Sequence, residues 1–163
     1  MIALDQSDAQ ILEVLKRNGK APLAEIAEKV GLSIPAVSER VRKLEARGVI
    51  LRYAAILDAQ QLGRDITAFI HVLLEHPRYD APFIEHVRGI PAVLECHHVV
   101  GQYSYLLKVK TASPRELEDL LARRIKSLEG VAQTMTVVAL STSKEETAIP
   151  VVAAAEPAGA GRH

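Results

Sequence analysis

The chain has 163 residues, of which 48% are hydrophobic and 25% charged, and its 20 basic and 20 acidic residues give a formal net charge of zero. This length allows one domain or two small ones, and the hydrophobic content excludes a chain that is disordered throughout. A neutral chain cannot coat nucleic acid through its overall charge. Any attraction to DNA therefore has to come from a local basic patch.

The cysteine count and the N-terminal sequence restrict the compartment. The single cysteine, Cys96, excludes an internal disulfide framework, and no set of Cys and His residues has the spacing of a zinc site. The first ten residues lack the basic and then apolar run of a signal peptide, and no apolar run approaches the roughly 18 residues of a membrane span. We therefore expect a soluble, cytoplasmic protein with no metal, no cofactor and no membrane partner.

Three helices are predicted in the first fifty residues. The first begins near Asp5 and ends at Asn18-Gly19. The second ends at Gly31, which suits the left-handed position after a helix. Ser33 is a good cap for the third helix, and Pro35 falls in its first turn, where the missing N–H costs nothing. Two short amphipathic helices that meet at a glycine predict a helix-turn-helix.

The third predicted helix is basic on one side. Its inward stripe is Val37, Val41 and Leu44, and at about 100° per residue Ala36, Glu39, Arg40, Lys43 and Arg47 fall opposite, flanked by Ser38 and Arg42. Residues 33–52 hold five basic and two acidic residues, a net charge of +3. Short side chains allow close approach to a major groove, and Arg and Lys bind guanine edges and phosphates. The residues expected to contact duplex DNA are Ser33, Pro35, Ala36, Ser38, Glu39, Arg40, Arg42, Lys43, Arg47 and Arg52.

A strand predicted over Gly48–Tyr53 would complete a winged helix-turn-helix. After this strand, segments with the alternating pattern of strands and segments with the helical pattern follow in the order βαββαβ. Its predicted strands are Ile66–Glu75, Val93–Val100, Tyr103–Lys110 and Val131–Leu140, the middle two joined by a tight turn at Gly101-Gln102. Its helices open at Asp80 and at the capping box Ser113-Pro114-Arg115-Glu116.

The predicted fold class is therefore α+β, with two domains. A winged helix-turn-helix occupies residues 1–53, a linker residues 54–63, and a ferredoxin-like (ACT-like) domain residues 64–143. The tail, residues 144–163, ends in alanine, glycine and proline, and we expect its last part to be disordered. One sheet face lacks helices, and we expect Phe69, Leu73, Tyr105 and Leu107 on that face to be covered by another subunit.

These segments in this order resemble the Lrp/AsnC family, the feast/famine transcriptional regulators that respond to amino acids. The resemblance extends from Leu4 to Val151. The segments that carry it are Leu4-Asp5, Asp8, Ile11-Leu12, Gly31-Leu32-Ser33, Arg40-Val41, Leu44-Glu45, Gly48-Val49-Ile50, Leu62-Gly63, Glu95-Cys96-His97, the loop from Gly101 to Leu107, and Thr134-Met135-Thr136.

The resemblance implies dimers built around the sheet domains, commonly assembled into octamers, with an effector amino acid bound between subunits. The residues it implies for the effector are Gly101, Gln102, Tyr103, Ser104, Tyr105, Thr134 and Thr136. In the family, the position of Gln102 is usually an acidic or small residue, and the position of Ser104 is usually aspartate. Gln102 and Ser104 supply only neutral hydrogen bonds, so we expect a neutral or apolar amino acid rather than a basic one.

Three alternatives to an effector-controlled regulator remain open. An amphipathic helix pair with a solvated charged face also occurs in proteins that bind no DNA. An architectural protein would organise DNA without an effector, and a metabolite-binding module would have lost DNA binding. An enzyme is not expected, because no nucleophile, base and orienting residue form a recognisable set.

Overall fold

The computed structural model describes residues 4–152. It separates into two compact units: the residues up to Ile56 together with those from Glu145 onward, and Leu57–Lys144. The predicted linker, residues 54–63, is thus divided between the units, and residues 145–152 of the predicted tail belong to the first. The tail segment predicted to be disordered lies outside the described residues from position 153.

The first unit, called here the helical unit, contains α1 (Gln6–Arg17), α2 (Leu23–Val30) and α3 (Ile34–Ala46). The helix ends form as the sequence predicts. The Asp8 N–H donates to the side chain of the N-cap Asp5 (2.7 Å), Gly31 ends α2 at φ 68°, and Ser33 caps α3. The core side chains are Ile11, Ile26, Ala27, Val37 and Leu44.

The strand predicted over Gly48–Tyr53 is wrong. Gly48 adopts a left-handed conformation (φ 69°), and the N–H groups of Val49 and Ile50 both donate to the Leu44 carbonyl at the end of α3. Residues 51–57 are exposed and form neither strand nor helix. The carbonyl at the helix end therefore takes the donors that a strand would need.

The second unit, called here the sheet unit, has the predicted βαββαβ order. Its elements are β1 (Ile66–Leu74), a short 3₁₀ turn (Pro77–Tyr79), α4 (Asp80–Arg88), β2 (Val93–His98), β3 (Tyr105–Thr111), α5 (Pro114–Asp119) continued by a π turn (Leu120–Ile125), and β4 (Val131–Val138). The strands lie in the order β2-β3-β1-β4, and all neighbours are antiparallel. This is the ferredoxin-like topology.

The strand register assigns each side chain to a face of the sheet. Ala68, Ile70 and Val72 of β1 are buried in the core beneath the helices. Residues paired across an antiparallel ladder share a face, so Tyr105, opposite Val72, and Leu107, opposite Ile70, belong to the same core. Both are buried, and the prediction that they lie on the uncovered face is wrong.

The other face of the sheet, called here the open face, carries half-buried and exposed side chains. They are Phe69, His71 and Leu73 of β1, Leu106 and Lys108 of β3, Glu95 and His97 of β2, and Gln133, Met135 and Val137 of β4. Phe69 and Leu73 are on this face, as the sequence predicts. The mixture of large apolar and charged groups is typical of a surface that another molecule covers.

Candidate DNA-reading surface and effector site

The outward side of α3 carries small and charged side chains. Pro35, Ser38, Glu39, Arg42 and Lys43 are exposed there, while Val37 and Leu44 are buried on the opposite side. The Ala36 N–H donates to Ser33 Oγ at 3.4 Å, which orders the N-terminal turn of the helix. This turn carries the short side chains of Ala36 and Ser38, which let a helix approach a major groove closely.

Arg40 does not belong to that outward surface. Its Nη1 donates to Asp5 Oδ2 and to Asp8 Oδ1, both at 2.7 Å, and its side chain is 33% exposed. Asp8 is buried. Arg40 thus joins α3 to the N-terminal turn of α1, and it does not lie among the exposed outward side chains where the sequence pattern placed it.

The rotation of α3 explains the error. Arg40 precedes Leu44 by four residues, which places the two side chains only about 40° apart around the helix. The observed burial of Val37 and Leu44 therefore puts Arg40 on the flank of the buried stripe, next to α1. Pattern counting along one helix could not locate its two carboxylate partners, which lie 35 and 32 residues earlier.

Two of the outward cations are paired with Glu39. Arg42 donates to it through Nε (3.0 Å) and Nη2 (2.8 Å), and Lys43 Nζ lies 3.5 Å from its Oε1. The Arg42 side chain is 69% exposed. Exposed pairs of this kind are worth about 0–1 kcal/mol, so both cations can leave Glu39 for DNA.

The remaining predicted DNA contacts flank the helix. Arg47, at the C-terminal end of α3, and Arg52 are both exposed. Tyr53 donates its phenol to Glu45 Oε1 (2.9 Å), and partial burial together with this carboxylate raises the pKa of Tyr53 to about 12. Tyr53 therefore contacts its own unit.

The predicted effector loop is the turn between β2 and β3. It is closed by the Val99 N–H donating to the Ser104 carbonyl (2.9 Å), with Gly101 at φ 147°. Ser104 is held by β1, because its N–H donates to the Val72 carbonyl (2.9 Å) and its Oγ accepts from the Leu74 N–H (3.2 Å). The Ser104 hydroxyl therefore retains its own proton as a donor for a ligand.

Tyr103 lies over the open face. Its ring centroid is 5.3 Å from that of His71, and its hydroxyl accepts a long hydrogen bond from Gln133 Nε2 (3.5 Å). His71 and Gln133 were not predicted as part of the site. Both residues are distant from the loop in the sequence. Only the pairing of β1 with β4 brings them close to Tyr103.

Tyr105, Thr134 and Thr136 lie on the other side of the sheet. Thr134 pairs with Val72 and Thr136 with Ile70, so both threonines are on the helix-covered face. Tyr105 donates its hydroxyl to Asp80 (2.9 Å), and burial, with this carboxylate, raises the pKa of Tyr105 to about 12. Within one subunit these three side chains therefore lie on the opposite face of the sheet from Tyr103.

None of the helices within residues 4–152 could span a lipid bilayer. Across the same residues no three or more His, Cys, Asp or Glu side chains are placed to hold a metal ion.

Comparison with known proteins agrees with this architecture. Residues 4–50 match a family model described as a winged helix-turn-helix DNA-binding domain, and residues 67–149 match the Lrp/AsnC ligand-binding domain. The HTH-type transcriptional regulator FL11 of Pyrococcus horikoshii is 35% identical over 92% of this chain and 98% of its own length. The proline dehydrogenase transcriptional activator of Rhizobium radiobacter is 38% identical over 87% of this chain and 92% of its own. A solved transcriptional regulator from Neisseria meningitidis, in complex with L-Met, superposes with a TM-score of 0.87 at 30% identity, covering 91% of this chain and 97% of that one.

Proposed function

Because the chain belongs to the Lrp/AsnC family of transcriptional regulators, with a DNA-binding helix-turn-helix and a ligand-binding domain, we propose that a small amino acid bound between subunits controls its affinity for DNA. The single observation that carries this proposal is the position of the 101–104 loop. It stands at the edge of a half-buried open face, where a second subunit and a ligand can meet.

Duplex DNA is contacted, in this proposal, by the outward side of α3. Ser38 and Ala36 allow close approach, while Arg42 and Lys43 exchange Glu39 for phosphates or base edges. Arg47 and Arg52 are placed to contact the DNA backbone. Arg40 contributes indirectly, because it fixes α3 against α1.

In this proposal the open face is covered by a second copy of the chain. The smallest assembly is a dimer, and the full assembly is an octamer. Phe69, Leu73 and Leu106 are half-buried in the single chain, and Met135 and Val137 are 42% and 49% exposed. Burying such side chains is worth roughly 25 cal/mol per Å² of apolar surface. Two reading helices related by a two-fold axis would then contact half-sites about one or more helical turns apart.

The effector is, in this proposal, a small neutral or apolar amino acid. Loop N–H groups and the Ser104 and Tyr103 hydroxyls are available for its carboxylate. The Neisseria relative bound to L-Met supports this ligand class. No carboxylate lies in the 101–104 loop itself, so a cationic side chain would find no partner there.

The test is a titration of duplex operator DNA, with oligomer mass followed by light scattering, in the presence and absence of each standard amino acid. Binding that bridges subunits should shift both the DNA affinity and the mass, because the two are linked reciprocally. Ser104→Asp should strengthen amino acid binding, since its carboxylate can pair with the ammonium group. Gln60→Glu, on an exposed turn of the sheet unit, is a control for added negative charge.

Two results would contradict the proposal. A chain that stays monomeric at micromolar concentration would refute the subunit-interface site. If the chain assembles and binds DNA but no amino acid changes affinity, mass or heat in wild type or Ser104→Asp, the effector-independent architectural function replaces the regulated one.

A further inference from the structure

A groove of about 770 Å³ opens in the sheet unit, far from the effector loop. It lies near the end of β3, at Lys110, whereas the 101–104 loop precedes the start of β3. Five strand steps of roughly 3.3 Å separate Tyr105 from Lys110, or about 17 Å. The groove is therefore a separate place on the molecule.

The floor of the groove is apolar. Leu57, Leu62 and Leu94 are 67%, 61% and 52% exposed, and they meet the buried side chains of Ile90 and Leu120. Exposed leucines that converge on a concave surface mark a binding site more often than isolated ones do. The volume is within the roughly 300–1,000 Å³ of small-molecule sites.

The rim of the groove is positively charged. Arg64, Lys110, Arg123 and Arg124 line it against only Glu116 and Asp119. Both carboxylates are already engaged. Glu116 accepts from the Ala112 N–H (2.8 Å) and pairs with Arg64, and Asp119 lies 3.3 Å from Arg123 Nε.

Arg124 differs from the other cations of the rim. Its guanidinium forms no hydrogen bond or ion pair with any residue from 4 to 152. An unpaired guanidinium beside an apolar floor is suited to a carboxylate with an apolar body, because it binds both oxygens in a fork. A ligand ammonium would have to compete with Arg64 and Arg123 for the two carboxylates among the lining residues.

The backbone at this groove is unusual. The helix after α5 widens into the π turn, where the Lys126 N–H donates to the Leu121 carbonyl (2.8 Å), five residues back. Three lining residues, Leu120, Arg123 and Arg124, lie on this turn. Such turns are rare and are frequently found at functional sites.

We propose that this groove binds a small organic monocarboxylate with a branched or straight apolar chain, and not the zwitterionic amino acid. The carboxylate lies on Arg124 and the apolar chain packs against Leu57, Leu62 and Leu94. The site is independent of the proposed effector loop. It would let the protein bind an apolar carboxylate as well as an amino acid.

The test is calorimetry of the full chain with 4-methyl-2-oxopentanoate and, separately, with leucine, which has the same branched chain. The oxo acid should give a saturable heat that leucine does not displace. Arg124→Ala should weaken its binding at least about tenfold, since a charge-assisted pair is lost. Arg115→Ala, an exposed arginine of α5 that does not line the groove, is the matched control and should leave binding unchanged.

A second variant keeps the proposal falsifiable if Arg124→Ala unfolds. Leu94→Asp places a negative charge on an already exposed position and should abolish oxo acid binding while the melting curve stays cooperative. No saturable heat in wild type at millimolar ligand would overturn the proposal. The proposal would also be overturned if Tyr103→Ala abolished binding and Arg124→Ala did not, because the anion would then bind at the loop. If no anion bound and Leu94→Asp lowered the oligomer mass, the groove would be a contact between subunits, and the proposal would again be overturned.

Discussion

The helical unit and the sheet unit are stabilised in different ways. In the helical unit a small core is supplemented by the cluster of Arg40 with Asp5 and Asp8, which joins α1 to α3. In the sheet unit a continuous apolar core extends from β1 to the helices, and its ion pairs lie at the surface. The orientation of α3 therefore depends on charged groups as well as on packing, while the sheet of the ligand-binding domain depends mainly on packing.

The largest effect is expected from filling a packed position of the sheet unit. Gly130 has φ 83°, and a Cβ there would lie 2.1 Å from Tyr79 Cγ. Gly130→Ala should lower the free energy of unfolding by about 2–4 kcal/mol, through overpacking and the left-handed backbone. Urea unfolding measures this. Gly89→Ala is the control, because its Cβ would be 3.4 Å from the nearest atom and its backbone is unstrained.

A smaller effect is expected when the charged cluster of the helical unit is removed, and a matched pair of arginines tests it. Arg40→Ala should lower the free energy of unfolding by about 1–3 kcal/mol, because Asp8 stays buried without its partner. Arg42→Ala should change stability by less than about 0.5 kcal/mol but weaken DNA binding by about 1–3 kcal/mol. Thermal unfolding and gel-shift titration separate the two effects.

Arg40→Lys sharpens this comparison. Lysine keeps the charge without the planar fork, so it should recover only part of the lost stability. If Arg40→Ala unfolds like the wild type and still loses DNA binding, Arg40 reads bases and the positioning role is wrong.

The smallest effect is expected from acid. The pKa of Asp5 is lowered from its ordinary value of 3.8, first by the Asp8 N–H and, against partial burial, by the Arg40 guanidinium. A carboxylate whose folded pKa is depressed stabilises the fold above pH 3.8, and this stability is lost as the pH falls through the folded pKa. The stability difference between wild type and Asp5→Asn should thus be under about 1 kcal/mol at pH 7 and disappear in acid. Urea unfolding of the two proteins at pH 7 and in acid measures this difference.

The helices of the DNA-binding unit could be predicted because their signals are local. The caps at Asp5 and Ser33 and the left-handed Gly31 act within three or four residues. The direction of Arg40 could not be predicted, since its partners are far away in the sequence. The prediction of a wing strand was wrong because the Leu44 carbonyl accepts hydrogen bonds from two N–H groups that the strand would need. Residue preferences for strands do not include this competition.

In the sheet unit the strands were predictable, but the assignment of residues to faces was not. A period of two gives alternation within one strand, and only the pairing with β1 shows that Tyr105 and Leu107 join the core. The same pairing separates Thr134 and Thr136 from Tyr103. The groove at Arg124 combines three segments that are distant in the chain, so no single stretch of sequence indicates it.

The π turn has a consequence for how the length of this chain can vary. A π turn holds one residue more than an α-helical turn, so deletion of one residue between positions 120 and 125 can be absorbed by reversion to an α-helix. Leu117 on one side and Ile125 on the other would keep their buried positions, while the side chains between them rotate by about 100° per residue. Relatives that are one residue shorter here should keep the fold but present Arg123 and Arg124 in a different direction. We therefore expect the spacing between Leu117 and Ile125 to show which relatives can present an arginine to this groove as Arg124 does here.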